Sequence, residues 1–179
     1  MAGRLRLDQV RAHFAGLGAK AQVTVWWNGA ALDRLIDERH AEVVNAAAVV
    51  LAAHGFVVKT EFSFNDFGDR GSIDLFAAND ANRALFVGEA KSEWGSLEET
   101  LRRQNLKTRL ARKLAEEAFG WRPERVASVL VFPDDRTCRR VADKYRASLA
   151  SYAGRGREIR AWLRTPTGDL GGIWFLTNA

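Results

Sequence analysis

From Ala31 to His54 the apolar residues Leu32, Leu35, Ile36, Val43, Ala47, Val50 and Leu51 recur at spacings of three, four and seven, which predicts a helix. Gly55 follows as the residue that ends it. The period then changes. Phe56-Val-Val-Lys-Thr-Glu-Phe-Ser-Phe, Ser72-Ile-Asp-Leu-Phe-Ala and Ala84-Leu-Phe-Val-Gly-Glu-Ala-Lys are rich in β-branched and aromatic residues, and predict a meander of three strands. The polar stretch from Asn65 to Gly71 is predicted as a loop, and Asn79-Asp-Ala-Asn as a turn. A helix is expected over Leu97 to Phe119, a strand over Val126 to Phe132 and a helix over Asp135 to Tyr152. Two short strands, Glu158 to Leu163 and Gly172 to Leu176, complete the pattern. Ahead of it all stand a short helix around Leu7 to Leu17, a strand from Gln22 to Trp27 and a turn at Asn28-Gly29.

This order predicts an α/β fold: an α-β-β-β-α-β core forming a mixed sheet flanked by helices, with extra N- and C-terminal strands. The strand that follows the second long helix must return across the sheet through that helix, which makes its pairing parallel. Neither a repeat nor a Pro/Ser-rich linker divides the chain, so 1–179 is read as one domain. Its core spans about 31–132, with an extension at 1–30 and a basic extension at 133–179.

Composition narrows the chemistry. With 47% hydrophobic residues in 179, the chain can bury a real core, while its apolar runs fall short of a membrane span. The charged N-terminus lacks the apolar stretch of a signal peptide, so the expectation is a cytoplasmic protein without a membrane partner. Cys138 is the only cysteine, which excludes a disulfide framework and a thiolate-rich zinc site; with three histidines, any metal must be held mainly by carboxylates. The net charge of +5 is uneven, with 9 Lys/Arg against 11 Asp/Glu over 1–90 and 18 against 11 over 91–179. A basic half suits a phosphate-backbone partner.

Ionisable residues stand where the strands should be apolar. Asp74 lies between Ile73 and Leu75, and Glu89-Ala90-Lys91 follows Leu85-Phe-Val-Gly. Strand alternation puts Glu89 and Lys91 on one side, and antiparallel pairing through the Asn79 turn brings Asp74 beside Glu89. Two adjacent carboxylates repel unless a cation sits between them, and hard oxygen ligands select Mg²⁺ or Mn²⁺. Such a cluster suits phosphodiester hydrolysis, with Asp74 and Glu89 as ligands and Lys91 positioning the nucleophile and offsetting developing charge. A plainer alternative has Asp74 starting a turn and Glu89 and Lys91 forming an exposed pair. The segment Leu101 to Lys113 adds Arg102, Arg103, Lys107, Arg109, Arg112 and Lys113 with no acid among them. On a helix, Arg102, Arg109 and Lys113 form a basic stripe, and with Arg103 and Lys107 they are candidate contacts to a nucleic-acid backbone.

Ser72-Ile-Asp74, fourteen residues, then Glu89-Ala-Lys91 on a strand resembles the core of the PD-(D/E)XK nuclease superfamily, the restriction-endonuclease-like fold. His54-Gly-Phe is similar to the same junction in archaeal Holliday-junction resolvases. The resemblance implies a Mg²⁺- or Mn²⁺-dependent endonuclease acting on DNA, and relatives of this kind commonly dimerise. A closer likeness, through Ala31-Leu-Asp-Arg-Leu-Ile-Asp-Glu-Arg-His-Ala, Phe67-Gly-Asp-Arg-Gly-Ser-Ile-Asp, Lys107-Thr-Arg-Leu-Ala and Leu130-Val-Phe-Pro-Asp, is to a domain of actinobacterial regulators that usually follows a helix-turn-helix unit. Residues 1–30 have room for no such unit, which implies DNA targeting by the domain itself or by a separate partner. The resemblance puts Val44 where many resolvase-like proteins carry a first-helix acid, and His40, one turn earlier, is the candidate replacement. Gln104 is similar to a helix Gln found after the catalytic Lys in some members. The alternative function is a regulatory or nucleic-acid-binding domain that keeps the nuclease fold without catalysis.

Overall fold

The computed structural model describes residues 14–17 and 30–177, the side chains of 30–36 excepted. The chain divides into two units, Met1–Asp33 and Arg34–Ala179, and the fold below is that of the second. The expected strand at 22–27, its turn, and all but the end of the expected first helix lie outside the described residues; 14–16 are helical.

Helix α1 (Ala30–Ala53) leads into a hairpin of β1 (Val57–Asp66) and β2 (Asp69–Asn79), then β3 (Ala84–Ala90), α2 (Leu97–Phe119) and β4 (Arg125–Pro133). Helix α3 (Arg136–Lys144), a 3₁₀ turn (Ala150–Tyr152), α4 (Gly156–Arg164) and β5 (Leu170–Leu176) follow. The five strands form one sheet in the order β1-β2-β3-β4-β5. The first three pair antiparallel, and β4 and β5 join in parallel. The mixed α/β sheet expected from the sequence is present.

Several helix ends carry their own stop and start signals. Gly55 takes φ +80° after α1, and Gly120 takes φ +78° after α2, where its N–H bonds the Glu116 carbonyl. Ser96 caps α2 by accepting from the Glu99 N–H, and Asp135 caps α3 by accepting from the Cys138 N–H. One sheet face is covered by α1, through Val43, Ala47 and Leu51, and by α4, through Ile159, Trp162 and Leu163. The other is covered by α2, through Ala111, Leu114 and Ala115, and beyond it by α3 and the 3₁₀ turn, through Cys138, Ala142 and Tyr152.

Three expectations are corrected. The stretch Asn65–Gly71 is not an open loop, since both strands run to a two-residue turn at Phe67-Gly68. Residues 158–163 are helix, not strand: Ile159, Trp162 and Leu163 have i, i+3, i+4 spacing, and the Glu158 carboxylate accepts from the Arg155 N–H at the start of α4. Among the described residues the C-terminal strand is β5 alone. The helix expected over 135–152 ends at Lys144, and the chain closes over β5 through a 3₁₀ turn whose buried Leu149 and Tyr152 have the spacing of three that such a turn favours. Gly171 permits this crossing, because a Cβ there would lie 1.8 Å from the Ser151 carbonyl oxygen.

Candidate functional site

The site forms where two strand ladders part. The β2–β3 register runs from Asn79↔Ala84 to Leu75↔Gly88, and one step further it would pair Asp74 with Glu89. There the strands separate: β3 continues beside β4 to Ala90↔Val131, and the Ala90 N–H is bonded by the Asp74 side chain at 2.7 Å instead of by β2 backbone. On its other side β2 pairs with β1 at Thr60↔Leu75 and Phe62↔Ile73, with Glu61 across from Asp74. Glu61 holds φ +49°, a left-handed conformation unusual for a non-glycine residue inside a strand. Asp74 thus marks a fork in the sheet.

The sequence candidates Asp74, Glu89 and Lys91 meet at this fork. Lys91 Nζ lies 2.8 Å from Glu89 Oε1, with the lysine side chain one-third exposed at the site mouth. Asp74 and Glu89 are buried, at 8% and 2% exposure, so the plainer picture of an exposed strand-end pair does not hold for them. His40 reaches the fork from α1 and lies 3.5 Å from Glu61 Oε1. Ser72 Oγ donates to Glu61 Oε2 at 3.3 Å. One ligand atom each from His40, Glu61 and Asp74 come within 4.8 Å of one another, a cluster that can hold a metal ion. Val44, at the expected first-helix acid position, packs in the core.

Lys107 is the largest departure from expectation. Grouped from the sequence with the phosphate contacts, it is instead buried at 6% exposure. Its ammonium donates to Glu89 Oε2 and lies 3.6 Å from Asp74 Oδ1. A cation does sit between the two carboxylates, and it is covalently part of the chain. Gln104, one turn earlier on α2, is fully buried and donates to the Val87 carbonyl and Ser128 Oγ at 2.8 and 3.0 Å, fastening α2 to β3 and β4.

The two acids respond oppositely to this setting. Burial, with the charge of Glu89 second, holds the Asp74 carboxyl above its ordinary range despite Lys107 and the Ala90 N–H. Burial pushes Glu89 upward as well, yet Lys107 and Lys91 outweigh it and hold the carboxyl below its usual range. Away from the fork, burial among α3, β4 and β5 pushes the Cys138 thiol up to about 12.

The remaining basic candidates lie on the exposed side of α2, and each faces an acid. Arg102 and Arg103 bond Glu99 at 2.8 and 2.6 Å, Arg109 bonds Asp69 at 3.0 Å, and Lys113 bonds Asp66. Arg102, Arg103 and Lys107 nevertheless line a cleft of about 450 Å³, joined by Arg70 and Ser72 from β2. No family model matches the chain, and no curated protein does either. Among the described residues no helix is long and apolar enough to cross a membrane.

Proposed function

We propose that the domain is a metal-dependent, nuclease-like protein acting on DNA by phosphodiester hydrolysis, with a site of the PD-(D/E)XK type. The observation that supports it is the gathering of Asp74, Glu89 and Lys91, with His40 and Glu61, at one fork of a mixed sheet. The donor set decides where an ion fits. Both Glu89 oxygens are engaged by lysines, so the fitting set is His40, Glu61 and Asp74. One imidazole with two carboxylates suits Mn²⁺ better than Mg²⁺, which prefers oxygen ligands alone. When bound, the ion would supply Lewis-acid polarisation of the phosphoryl group and acidify the attacking water.

The chain's own groups do the rest. Lys91, oriented by Glu89, presents its ammonium at the mouth, where it offsets charge on a phosphate and orients the nucleophile. Arg70, Arg102 and Arg103 line the adjoining cleft and supply the positive field that draws a nucleic-acid backbone to it. A second reading has one observation in its favour: the Lys107 ammonium already sits between the buried acids, as in a regulatory or nucleic-acid-binding domain that keeps the fold without turnover.

Mn²⁺ titration by calorimetry, beside cleavage of plasmid and branched oligonucleotides, separates the two. The nuclease reading expects binding by the wild type, none by Asp74→Asn, and cleavage lost in both Asp74→Asn and Lys91→Ala. Mn²⁺ binding without cleavage of any DNA favours the regulatory domain. Absence of Mn²⁺ binding overturns the metal site itself.

A further inference from the structure

The β1–β2 turn spends two unfavourable features on one residue. Both central positions have positive φ, 48° at Phe67 and 96° at Gly68, between the paired residues Asp66 and Asp69. This is the type I′ pattern, whose first central position favours Asn, Asp or Gly. Phe67 gains nothing from burial in return, since it is 100% exposed. Neither turn geometry nor core packing therefore accounts for a phenyl ring at this position.

The tip is also held in place. Asp66 is ion-paired to Lys113, and Asp69 to Arg109 at 3.0 Å, so α2 grips the residue on each side of the turn. Lys113 Nζ lies 4.8 Å from the Phe67 ring centroid. Gly68, the next residue, lines the same cleft as Arg70, Arg102 and Arg103. An aromatic face is presented to solvent at the rim of an arginine-lined cleft. Stacking surface beside positive charge matches a nucleobase and its phosphate in a strand whose bases are unpaired, whereas a duplex keeps its base faces covered.

We propose that Phe67 is a stacking residue for an unpaired base, so that the domain selects single-stranded or branched nucleic acid over blunt duplex. The proposal rests on the nucleic-acid part of the function above. It is independent of whether the site cleaves.

Binding is followed by fluorescence anisotropy with a fluorescein-labelled oligothymidylate of about 15 nucleotides, near the upper site size of a small single-strand binder, and with a blunt duplex of equal length. The wild type is expected to favour the single strand. Phe67→Asn should weaken single-strand binding by about 5- to 150-fold, the range for one stacked base, with little effect on duplex. Phe67→Trp should retain the preference. Because Asn accepts a positive φ, the same Phe67→Asn variant should melt at a higher temperature, which separates lost stacking from lost folding. Arg102→Gln with Arg103→Gln should weaken both ligands alike. Wild type that binds oligonucleotide with Phe67→Asn unchanged, or that prefers duplex, overturns the stacking role and leaves the nucleic-acid reading standing. Wild type that binds neither ligand at low salt overturns that reading, and the stacking role falls with it.

Discussion

The Glu89 side of the fork and the Asp74 side are neighbours on adjacent strands, yet they balance charge in different ways. Glu89 is enclosed and receives two ammonium groups, Lys91 at one oxygen and Lys107 at the other. Asp74 has one oxygen on a backbone N–H and the other 3.6 Å from Lys107, and it opens toward His40 and Glu61, whose side chains are 33% and 59% exposed. The enclosed half carries its counter-charge within the chain. The open half collects two carboxylates and an imidazole and shares only the more distant contact of Lys107, at 3.6 Å from Asp74, so an added cation has most to gain there.

The strongest test of this contrast is removal of the internal cation. Lys107→Met leaves Glu89 buried with the one-third-exposed Lys91 as its remaining lysine, and breaking such a pair costs about 3–5 kcal/mol. Urea unfolding should show that loss, and Glu89→Gln a smaller one, since the buried Lys107 keeps Asp74 at 3.6 Å as a partner and Lys91 is one-third exposed. The double variant should lose less than the sum of the two. Lys107→Met as stable as the wild type would mean that the lysine contributes nothing to the enclosed half. If Mn²⁺ then raises the melting temperature of Lys107→Met more than that of the wild type, ion and ammonium compete for the same acids.

A middle-sized effect should separate Asp74 from Glu89 by pH. The folded-state pKa of Asp74 is raised, so the stability linked to it is present at low pH and lost as pH rises through the folded value. Above that value the ionised carboxylate is held at a cost. Asp74→Asn, which can still accept from the Ala90 N–H, should raise the melting temperature by about 2–4 °C, the shift expected of one kcal/mol at this size. Glu89 is lowered, so its contribution is present above its ordinary value and lost as pH falls through the folded one. Glu89→Gln should therefore be destabilising at neutral pH and converge on the wild type in acid. Melting curves across the acid range in which both variants shift the same way would dissolve the distinction.

The sequence made much of this legible, and the parts it hid have physical causes. Helical spacing located α1 and α2, which each bury one face, and runs of β-branched and aromatic residues located β1 to β4, of which β3 and β4 are buried on both faces. Asp74, Glu89 and Lys91 were visible as charges inside apolar strands. Glu61 was missed because 65–71 read as a polar loop; a two-residue turn at Phe67-Gly68 would have set Glu61 opposite Asp74 by counting back along both strands. Lys107 was missed because its neighbours are basic. Its signal was positional: Thr100, Gln104, Lys107, Ala111 and Leu114 follow the helical period along the buried stripe of α2. A lysine on such a stripe must meet an acid, and the buried Glu89 is the one it meets. Helix α4 was read as a strand because a run as short as 158–163 fits either period.

The smallest expected change in stability belongs to Glu61, on the open half. Its carboxylate is mostly exposed and its polar contacts are to Ser72 and His40, so substitution removes little that holds the fold together. Its backbone, at φ +49°, favours Asn over Glu. Glu61→Asn should therefore leave unfolding within about 0.5 kcal/mol of the wild type or slightly above it. Mn²⁺ affinity, measured by calorimetry, should nevertheless fall at least about tenfold, because the shorter neutral amide replaces a charged ligand. His40→Gln offers the matching loss from α1. If both variants bind Mn²⁺ as the wild type does while Asp74→Asn does not, the ion sits on the enclosed side with Glu89, and Lys107 must swing away to admit it. A stable fold with weakened Mn²⁺ binding in both would instead assign the strained glutamate and the helix histidine to the ion, and leave Lys107 as the fixed counter-charge of Glu89.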